Sequence, residues 1–222
     1  MGLSPLPRLA ALYEADLTLA GTFAFLDPYA RWRPPGALVP PIVERSETLA
    51  TGDEVFLYFS RAEAGIPALA EALCRLTLPR RGFFPGAPEA LKAHLAASGM
   101  IVETAPMPVD LIARRSRIMV HPSPHGSLCT AALMGLPQLG LPGHREQLAH
   151  AQRAEAAGVL QVLPQKTATA DEILSGIETL YHDAAARTRA RSLARDLRRA
   201  FPADPLSDLA ARLAPVRAAP SA

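Results

Sequence analysis

The region from Asp53 to Ala200 alternates short apolar runs with longer amphipathic ones. Val55–Ser60 is continuously apolar and aromatic, which is typical of a strand buried on both faces. Pro67 then opens a helical pattern, because proline is favoured at the first helical position. Strand and helix patterns follow one another to the end of the region. We predict six strands, at Val55–Ser60, Arg81–Phe84, Met100–Thr104, Ile118–Val120, Gln138–Leu141 and Gly158–Leu163.

Helical patterns lie between these strands and after the last one. Gly99 closes one helix as a C-cap residue, and Asp171 is expected to cap the helix that runs to about Tyr181. Regular alternation of strand and helix is the pattern of a parallel α/β sheet with helices on both faces. We therefore predict a doubly wound α/β domain. The predicted helices are Pro67–Leu76, Pro88–Ala97, Val109–Ala113, one starting near Ser127, one opened by the turn at Pro142–Gln147, one to about Tyr181, and Ala184–Phe201.

The segments on either side of this region have a different composition. Pro34–Pro41 contains four prolines and a glycine in eight residues, so it cannot continue a helix or a central strand. We interpret it as an interdomain linker or a segment laid along a surface. The predicted organisation is residues 1–41 as an N-terminal segment that ends in this proline-rich stretch, 42–200 as the α/β domain, and 201–222 as a flexible tail.

Composition narrows the possible functions. With 49% hydrophobic residues the chain can bury a substantial core, and a net charge of +2 does not indicate nucleic-acid binding. Two cysteines imply no disulfide framework, so we expect a cytoplasmic protein. The sequence has no apolar run of the ~18 residues that span a bilayer, and its N-terminus lacks the apolar core of a signal peptide. We therefore predict no transmembrane segment.

Two polar turns follow neighbouring predicted strands, at the sheet edge where α/β proteins bind ligands. In the first, His121–Ser127, Gly126 permits close backbone approach and a helix begins near Ser127. The free N–H groups at such a helix start bind phosphate. In the second turn, Glu146 and Gln147 can read the hydroxyls of a sugar. Together the two turns indicate a nucleotide sugar as ligand.

Each of these residues also has a structural alternative. Ser127 is a favoured N-cap residue, and the helix dipole alone favours Glu146 in a first turn. His121, at a strand end, could hydrogen-bond a neighbouring loop and have no contact with a ligand. The histidines lack the spacing of a metal site, and no Gly-x-Ser-x-Gly elbow indicates a hydrolase. We therefore expect no metal and no cofactor, with a nucleotide sugar as co-substrate.

The run from His125 to Leu163 resembles the donor-binding half of GT-B glycosyltransferases, especially the UDP-glycosyltransferase and related lipid-sugar transferase families. The parts that carry the resemblance are His125-Gly126-Ser127, Gly135-Leu136-Pro137, Glu146-Gln147 and His150-Ala151. Ala105–Pro108 is similar to the family's proline-containing loop over the nucleobase, and Gly52–Ser60 to the first donor-domain strand. Pro122, Ser123 and Pro124 stand where the family usually has His-Gly-Gly.

The resemblance implies a Rossmann-like fold and transfer of a sugar from a UDP- or TDP-activated donor to an acceptor hydroxyl. It implies that His125, Ser123, Ser127 and the backbone of the turn hold the diphosphate, with His121 or His125 in the role of the family's missing His. Glu146 and Gln147 would read the sugar, and Pro108 and Val109 would flank the base. Thr130 stands where many members have a ribose-binding Glu. The implied donor-binding residues are Ser60, Pro108, Val109, His121, Ser123, His125, Gly126, Ser127, Thr130, Glu146 and Gln147.

GT-B enzymes have two Rossmann-like domains, and the general base usually lies in the N-terminal one. Only residues 1–41 precede the donor-like domain here, and the resemblance implies that they are a remnant of the N-terminal acceptor domain plus the linker. No catalytic residue is therefore assigned. Three interpretations are open: a truncated chain, a degenerate remnant, or one subunit of a split transferase with a separate acceptor-binding chain. The alternative to an enzyme is a non-catalytic nucleotide-sugar-binding module that needs a partner chain.

Overall fold

The computed structural model describes residues 8, 15, 17–60, 66–202 and 204–217. Its centre is a six-stranded parallel sheet with the strand order β5-β4-β3-β6-β7-β8, and a separate pair joins β1 and β2, also in parallel. The strands, in chain order, are β1 (Ala20–Gly21), β2 (Leu38–Val39), β3 (Glu54–Tyr58), β4 (Arg80–Phe83), β5 (Ile101–Glu103), β6 (Ser116–His121), β7 (Gln138–Gly140) and β8 (Leu160–Val162).

Helices connect the strands of the main sheet and follow the last one. Two short 3-10 turns, Ala24–Leu26 and Ala30–Trp32, lie between β1 and β2. The α-helices are α1 (Pro67–Arg75), α2 (Glu89–Ala97), α3 (Val109–Arg115), α4 (His125–Met134), α5 (Arg145–Ala156), α6 (Ala170–His182), α7 (Ala184–Ala200) and α8 (Pro205–Arg217). Among the described residues, every helix is too short or too polar to cross a bilayer.

The strand order contains one reversal. From β3 the chain moves outward through β4 to the β5 edge, then returns to place β6 on the other side of β3. Connections therefore leave β3 and β6 in opposite directions and open a crevice beyond their carboxyl ends. Such a crevice is where open α/β sheets bind ligands.

Helices cover both faces of the sheet, which confirms the predicted doubly wound α/β class. On one face Val55, Leu57, Ile118, Val120 and Leu139 pack against α1 and α6. On the other, the alternate side chains of β3 and β6 pack against α3 and α4. Both faces are apolar because each strand of a parallel sheet is buried on both sides.

The segment before β3 packs onto the second face. Phe23 and Leu26 are buried with Leu128 and Leu133 of α4, and with Phe201 after α7. Whether the proline-rich segment is an interdomain linker or a segment laid along a surface stays a prediction. In the predicted N-terminal remnant, residues 1–7, 9–14 and 16 lie outside the described residues, and the proposed boundary at residue 41 stays a prediction.

The C-terminal part differs from the sequence expectation in two places. Helix α8 lies within the segment 201–222 that we expected to be a tail, and its flexibility stays a prediction. The prediction that Asp171 caps α6 is wrong. Thr169 is the N-cap, with its hydroxyl accepting from Glu172 N–H (3.2 Å) and the Glu172 carboxylate accepting from Thr169 N–H (2.8 Å). This capping box satisfies two end N–H groups.

We predict that Thr169→Ala lowers the free energy of unfolding by about 1 kcal/mol, because it removes this cap. Asp171→Ala is the matched control. Asp171 forms an ion pair with Arg75 (2.7 Å), and its side chain is 81% exposed, so its removal should change stability by less than about 0.5 kcal/mol. Urea unfolding followed by circular dichroism measures both variants. Equal losses would contradict the assignment of the cap.

Candidate functional site

The turn from His121 to Pro124 lies at the centre of the crevice. It connects the carboxyl end of β6 to the start of α4. His121 is the last residue of β6 and pairs with Gly140 at the end of β7. The turn is therefore held at its start by two paired strands and at its end by a helix.

Helix α4 begins at His125, two residues before the predicted start near Ser127. Pro124 occupies the N-cap position, so the alternative of Ser127 as N-cap is wrong. The first intrahelical bond runs from Leu128 N–H to Pro124 O (3.1 Å). The amides of His125, Gly126 and Ser127 come before that bond, and no side chain of the described residues caps this end of α4. Their N–H groups and the helix dipole make a favourable position for an anion.

His121 holds the turn from beneath. Its Nδ1 accepts from Ser123 N–H (3.0 Å), so Nε2 carries the proton and donates to Gln138 Oε1 (2.9 Å). The side chain is fully buried, and this burial lowers the pKa of His121 to about 4 although the bond to Gln138 opposes the shift. With both nitrogens occupied and no exposed surface, His121 positions the turn and has no atom left to contact a diphosphate.

Ser123 has a backbone conformation that is uncommon for residues other than glycine, with φ at +64°. Its side chain is fully buried, and Oγ has no hydrogen-bond partner among the described residues. A Cβ added to Gly140 would overlap Ser123 Oγ, so the hydroxyl lies directly against the end of β7. The absence of a side chain at Gly140 therefore leaves room for the Ser123 hydroxyl.

An apolar cavity of about 460 Å³ opens on one side of the α4 start. The rings of Tyr58 and Phe83 are stacked in its wall, with centroids 6.1 Å apart. Gly126, Ser127 and Thr130 of α4 form its polar side. A flat heterocyclic ring with polar edges matches these walls. The remaining lining residues are Phe56, Ser60, Pro106, Met107, Ile112, Met119 and Pro124.

A smaller, polar cavity of about 190 Å³ lies on the other side and shares Ser60 and Pro124 with the first. Glu146 is exposed in this cavity. The side chain of Gln147 is buried, and its Oε1 accepts from Gly143 N–H (2.8 Å), which fixes the second polar turn. Its amide group remains a donor. The cavity is also lined by Pro122, Ser123, His125, His144 and His150.

His125 connects the site to the N-terminal segment. Its Nε2 lies 2.7 Å from Thr22 Oγ1, and its ring lies 5.4 Å from that of His150. Burial lowers the pKa of His125, the neighbouring His150 lowers it further, and Glu146 acts in the opposite direction. The neutral imidazole is therefore favoured in the structure, with Thr22 as its partner.

The structure brings together most of the predicted site residues. Ser60, Ser123, His125, Gly126, Ser127, Thr130, Glu146 and Gln147 all line the two cavities. Pro108 and Val109 do not. Pro108 is the N-cap of α3 and Val109 is mostly buried, whereas the preceding Pro106 and Met107 line the apolar cavity. Contact of Pro108 or Val109 with a base stays a prediction.

Sequence reasoning missed several lining residues. Tyr58 and Phe83 were interpreted as strand core, although Tyr58 ends β3 at the crevice and could have been found from that position. Met119 gave no signal of a place in the cavity wall, and the contact of Thr22 with His125 depends on tertiary packing. Within the described residues, no group of three or more His, Cys, Asp or Glu side chains is arranged to hold a metal ion.

We expect Gly140→Ala to lower the free energy of unfolding by about 1–3 kcal/mol, because the added methyl meets Ser123 Oγ. In a Ser123→Gly background the loss should be smaller, since the hydroxyl is gone. A four-variant cycle of urea midpoints measures the coupling. Gly126→Ala is the control, because no atom lies within 4 Å of the added carbon. Strictly additive losses would show that Ser123 and Gly140 do not constrain each other.

The buried His121 should make stability depend on pH. Its pKa is about 4 in the folded protein against 6.5 as the ordinary value, so the unfolded chain takes up the proton first. The contribution of neutral His121 to the free energy of unfolding is complete above pH 6.5 and is lost as pH falls towards 4. Between pH 7 and 5 the His121 contribution should fall by about 2 kcal/mol.

Urea unfolding at the two pH values tests this in the parent protein and in His121→Asn. The variant should be less stable at pH 7 but should lose less stability on acidification. His182→Asn, at an exposed helix end, is the control and should keep the parent's pH dependence. If the free energy of unfolding of His121→Asn depends on pH as the parent's does, the result would contradict a buried, neutral His121.

Comparisons with known proteins agree with this geometry. Residues 89–211 match the family model described as the erythromycin biosynthesis protein CIII-like C-terminal domain. No curated protein sequence matches the chain.

Solved structures with a similar fold are glycosyltransferases. LpCGTa in complex with UDP has a TM-score of 0.68 at 19% identity, over 91% of this chain and 55% of that one. The spinosyn rhamnosyltransferase SpnG has a TM-score of 0.65 at 22% identity, over 85% and 54%. VinC in complex with dTDP has a TM-score of 0.63 at 15% identity, over 85% and 49%. The chain spans about half the length of these proteins.

The family match covers more than half of the chain, and the six-stranded parallel sheet has the fold shared by these structures. The chain therefore belongs to the family of erythromycin biosynthesis protein CIII-like C-terminal domains, with the Rossmann-like fold of the C-terminal half of GT-B glycosyltransferases.

Proposed function

We propose that this chain supplies the donor-binding half of a glycosyltransferase that transfers a sugar from a UDP- or TDP-activated donor to an acceptor hydroxyl. The observation that carries the proposal is the order of features along the crevice. An apolar cavity and a polar cavity meet at Ser60 and Pro124, beside the uncapped start of α4. A nucleotide sugar has its parts in the same order. Its flat base would match the apolar cavity, its diphosphate the helix start, and its sugar hydroxyls the polar cavity.

The donor would lie with its base in the apolar cavity. The walls of Tyr58, Phe83 and Met107 are suited to a pyrimidine ring, and Thr130 offers a hydroxyl to the ribose. LpCGTa and VinC were crystallised with UDP and dTDP, and both nucleotides contain such a ring. Their occurrence in similar folds supports a pyrimidine nucleotide here.

The diphosphate would lie at the start of α4. The amides of His125, Gly126 and Ser127 come before the first intrahelical bond, and Ser127 also lines the apolar cavity at this helix start. As the sugar leaves, negative charge builds up on the terminal phosphate. Fixed N–H dipoles stabilise such charge without reorganising. The diphosphate would also raise the pKa of the neighbouring His125, so that a protonated imidazole would contribute charge.

The sugar would then occupy the polar cavity. The Glu146 carboxylate accepts from sugar hydroxyls, and Gln147 keeps its amide as a donor because its carbonyl oxygen is bound to Gly143.

The free thiols of Cys74 and Cys129 fit a cytoplasmic location, which stays part of the proposal. The general base is not assigned to any residue of this chain.

The second candidate is a binding module that either needs a separate acceptor-binding chain for activity or has lost its activity. Pro122, Ser123 and Pro124 favour this candidate, since they replace the His-Gly-Gly of related turns. His121 is buried below the turn, so it does not substitute for the missing His. Binding of UDP without hydrolysis or transfer of UDP-glucose would support the module.

We predict that Gly126→Asp weakens UDP binding at least tenfold. Gly126 is exposed, no atom lies within 4 Å of an added Cβ, and an acidic residue in a first turn stabilises the helix. The variant should therefore fold normally while its carboxylate repels the diphosphate. Calorimetric titration with UDP and dTDP measures the affinities, and thermal unfolding checks the fold.

Gly126→Asn is the matched control, because it has the same size without the charge. Its affinity should be within about threefold of the parent's, which corresponds to less than 1 kcal/mol. If Gly126→Asp binds UDP as tightly as Gly126→Asn, the diphosphate does not lie at this helix start. If the parent binds neither nucleotide at millimolar concentration, donor recognition itself is refuted.

A further inference from the structure

One flank of helix α7 carries a row of arginines, which we call the arginine stripe. Its members are Arg187, Arg191, Arg195 and Arg198. Because neighbouring members are three or four residues apart, they lie on one side of the helix, over about 17 Å of its length. The buried residues of α7 are Ala186, Ala190 and Ala194, so the stripe runs alongside the buried face of the helix.

The arginine stripe carries its charge without an ion pair to any residue that the structure describes. Arg191 and Arg198 donate to backbone carbonyl oxygens, those of Ala50 (3.3 Å) and Glu47 (2.6 Å). Arg187 and Arg195 make no hydrogen bond within the described ranges. The arginines that do form ion pairs lie outside the stripe, and they are Arg33, Arg75, Arg81, Arg115, Arg189, Arg199 and Arg212.

Two further arginines add to this positive charge. Burial lowers the pKa of Arg187, and the neighbouring Arg117 and Arg191 lower it further. Burial also lowers the pKa of Arg198, and Arg45 adds to this shift against the effect of nearby carboxylates. Guanidinium groups stay charged at neutral pH in spite of such shifts. The fold therefore holds like charges close together, and a bound anion would relieve their repulsion.

The arginine stripe lies at the amino ends of the strands, opposite the crevice. Ala50, which accepts from Arg191, precedes the first residue of β3, and Arg117 is the second residue of β6. Arg198 Nη1 lies 3.5 Å from Leu133 O, near the end of α4, whereas the start of α4 forms the candidate site. A partner bound to the stripe therefore leaves the crevice open.

An open groove of about 550 Å³ continues the stripe at the end of α7. It is lined by Glu47, Leu49, Arg195, Arg198 and Arg199. Leu49 gives the groove an apolar wall, and Glu47 is the acidic residue among its lining residues. Arg199 is paired with Asp196, so the cations without a carboxylate partner in this groove are Arg195 and Arg198.

We propose that the arginine stripe and this groove dock an acidic segment of a partner protein. An extended segment of about five residues spans the same ~17 Å. The planar fork of a guanidinium matches a carboxylate and binds it through two parallel hydrogen bonds. Since the surface lies away from the crevice, this docking goes beyond the donor-binding role and does not depend on it.

Other anionic partners match this surface less well. Helices that bind membrane surfaces combine basic residues with apolar side chains that enter the lipid. The groove is lined by none of the large exposed apolar residues of the described ranges. Single-stranded nucleic acids are bound by aromatic rings on which the bases stack, and the five lining residues include no ring. A narrow row of cations favours a peptide segment.

The test titrates fluorescein-labelled hexaglutamate and hexaglutamine with the full chain and follows fluorescence anisotropy. Hexaglutamate should bind at least about tenfold more tightly than hexaglutamine. Its affinity should fall as the salt concentration rises, because salt screens exposed charges. UDP should not displace the peptide, since the stripe and the crevice lie at opposite edges of the sheet.

Arg187→Gln combined with Arg195→Gln should weaken hexaglutamate binding about five- to tenfold, because the double variant removes two unpaired cations. Neither residue makes a hydrogen bond within the described ranges whose loss would disturb the fold. Arg75→Gln combined with Arg212→Gln is the matched control. It removes the same charge from two ion-paired arginines outside the stripe and should bind the peptide as the parent does.

The proposal is overturned if hexaglutamate binds no more tightly than hexaglutamine, if UDP displaces it, or if both double variants lose the same affinity. Sedimentation with phosphatidylglycerol vesicles provides the remaining comparison. If the chain sediments with these vesicles but does not bind hexaglutamate, the arginine stripe recognises a lipid surface and the proposal of a protein partner is wrong.

Discussion

The close approach of Ser123 to the end of β7 is the constraint on which the site depends. Two strands bring Gly140 beneath the turn, and the left-handed backbone at Ser123 lets the chain reverse direction before α4. His121 then fixes the turn by accepting the Ser123 N–H. Without this arrangement the start of α4 would point elsewhere, and the two cavities would no longer meet beside it. A buried hydrogen-bonded histidine thus determines where free backbone N–H groups are presented.

Much of the fold was predictable from the sequence. The six central strands lie between turn signals, and each predicted end falls within two residues of the observed one. The continuous apolar pattern is clearest in β3 and β6, which are buried on both faces. The location of the site followed from the rule that parallel sheets bind ligands beyond their carboxyl ends. The resemblance to GT-B enzymes added an expected order of donor contacts. Glu146 and Gln147 line the polar cavity, and their contact with a sugar stays a prediction.

Individual contacts were less predictable, for physical reasons. His121 has the same chemistry whether it faces a ligand or the side-chain carboxamide of a neighbour. Only the position of Gln138, at the start of β7, decides between them. The start of α4 was placed near Ser127, two residues too late, whereas the helix begins at His125 with Pro124 as its N-cap residue. Thr22 reaches His125 across 103 residues of chain, a contact that no local pattern contains.

The packing of Phe23 against Phe201 joins the segment before β3 to the end of α7, with ring centroids 6.1 Å apart. The segment before the sheet and the last turn of α7 therefore share one core with α4 and α5. Exchange of donor halves between glycosyltransferases is a natural way to seek new sugar specificities. For this chain, a crossover placed at the proline-rich segment would separate Phe23 and Leu26 from their partners. A chimera that keeps its core intact would carry residues 23–26 together with the sheet.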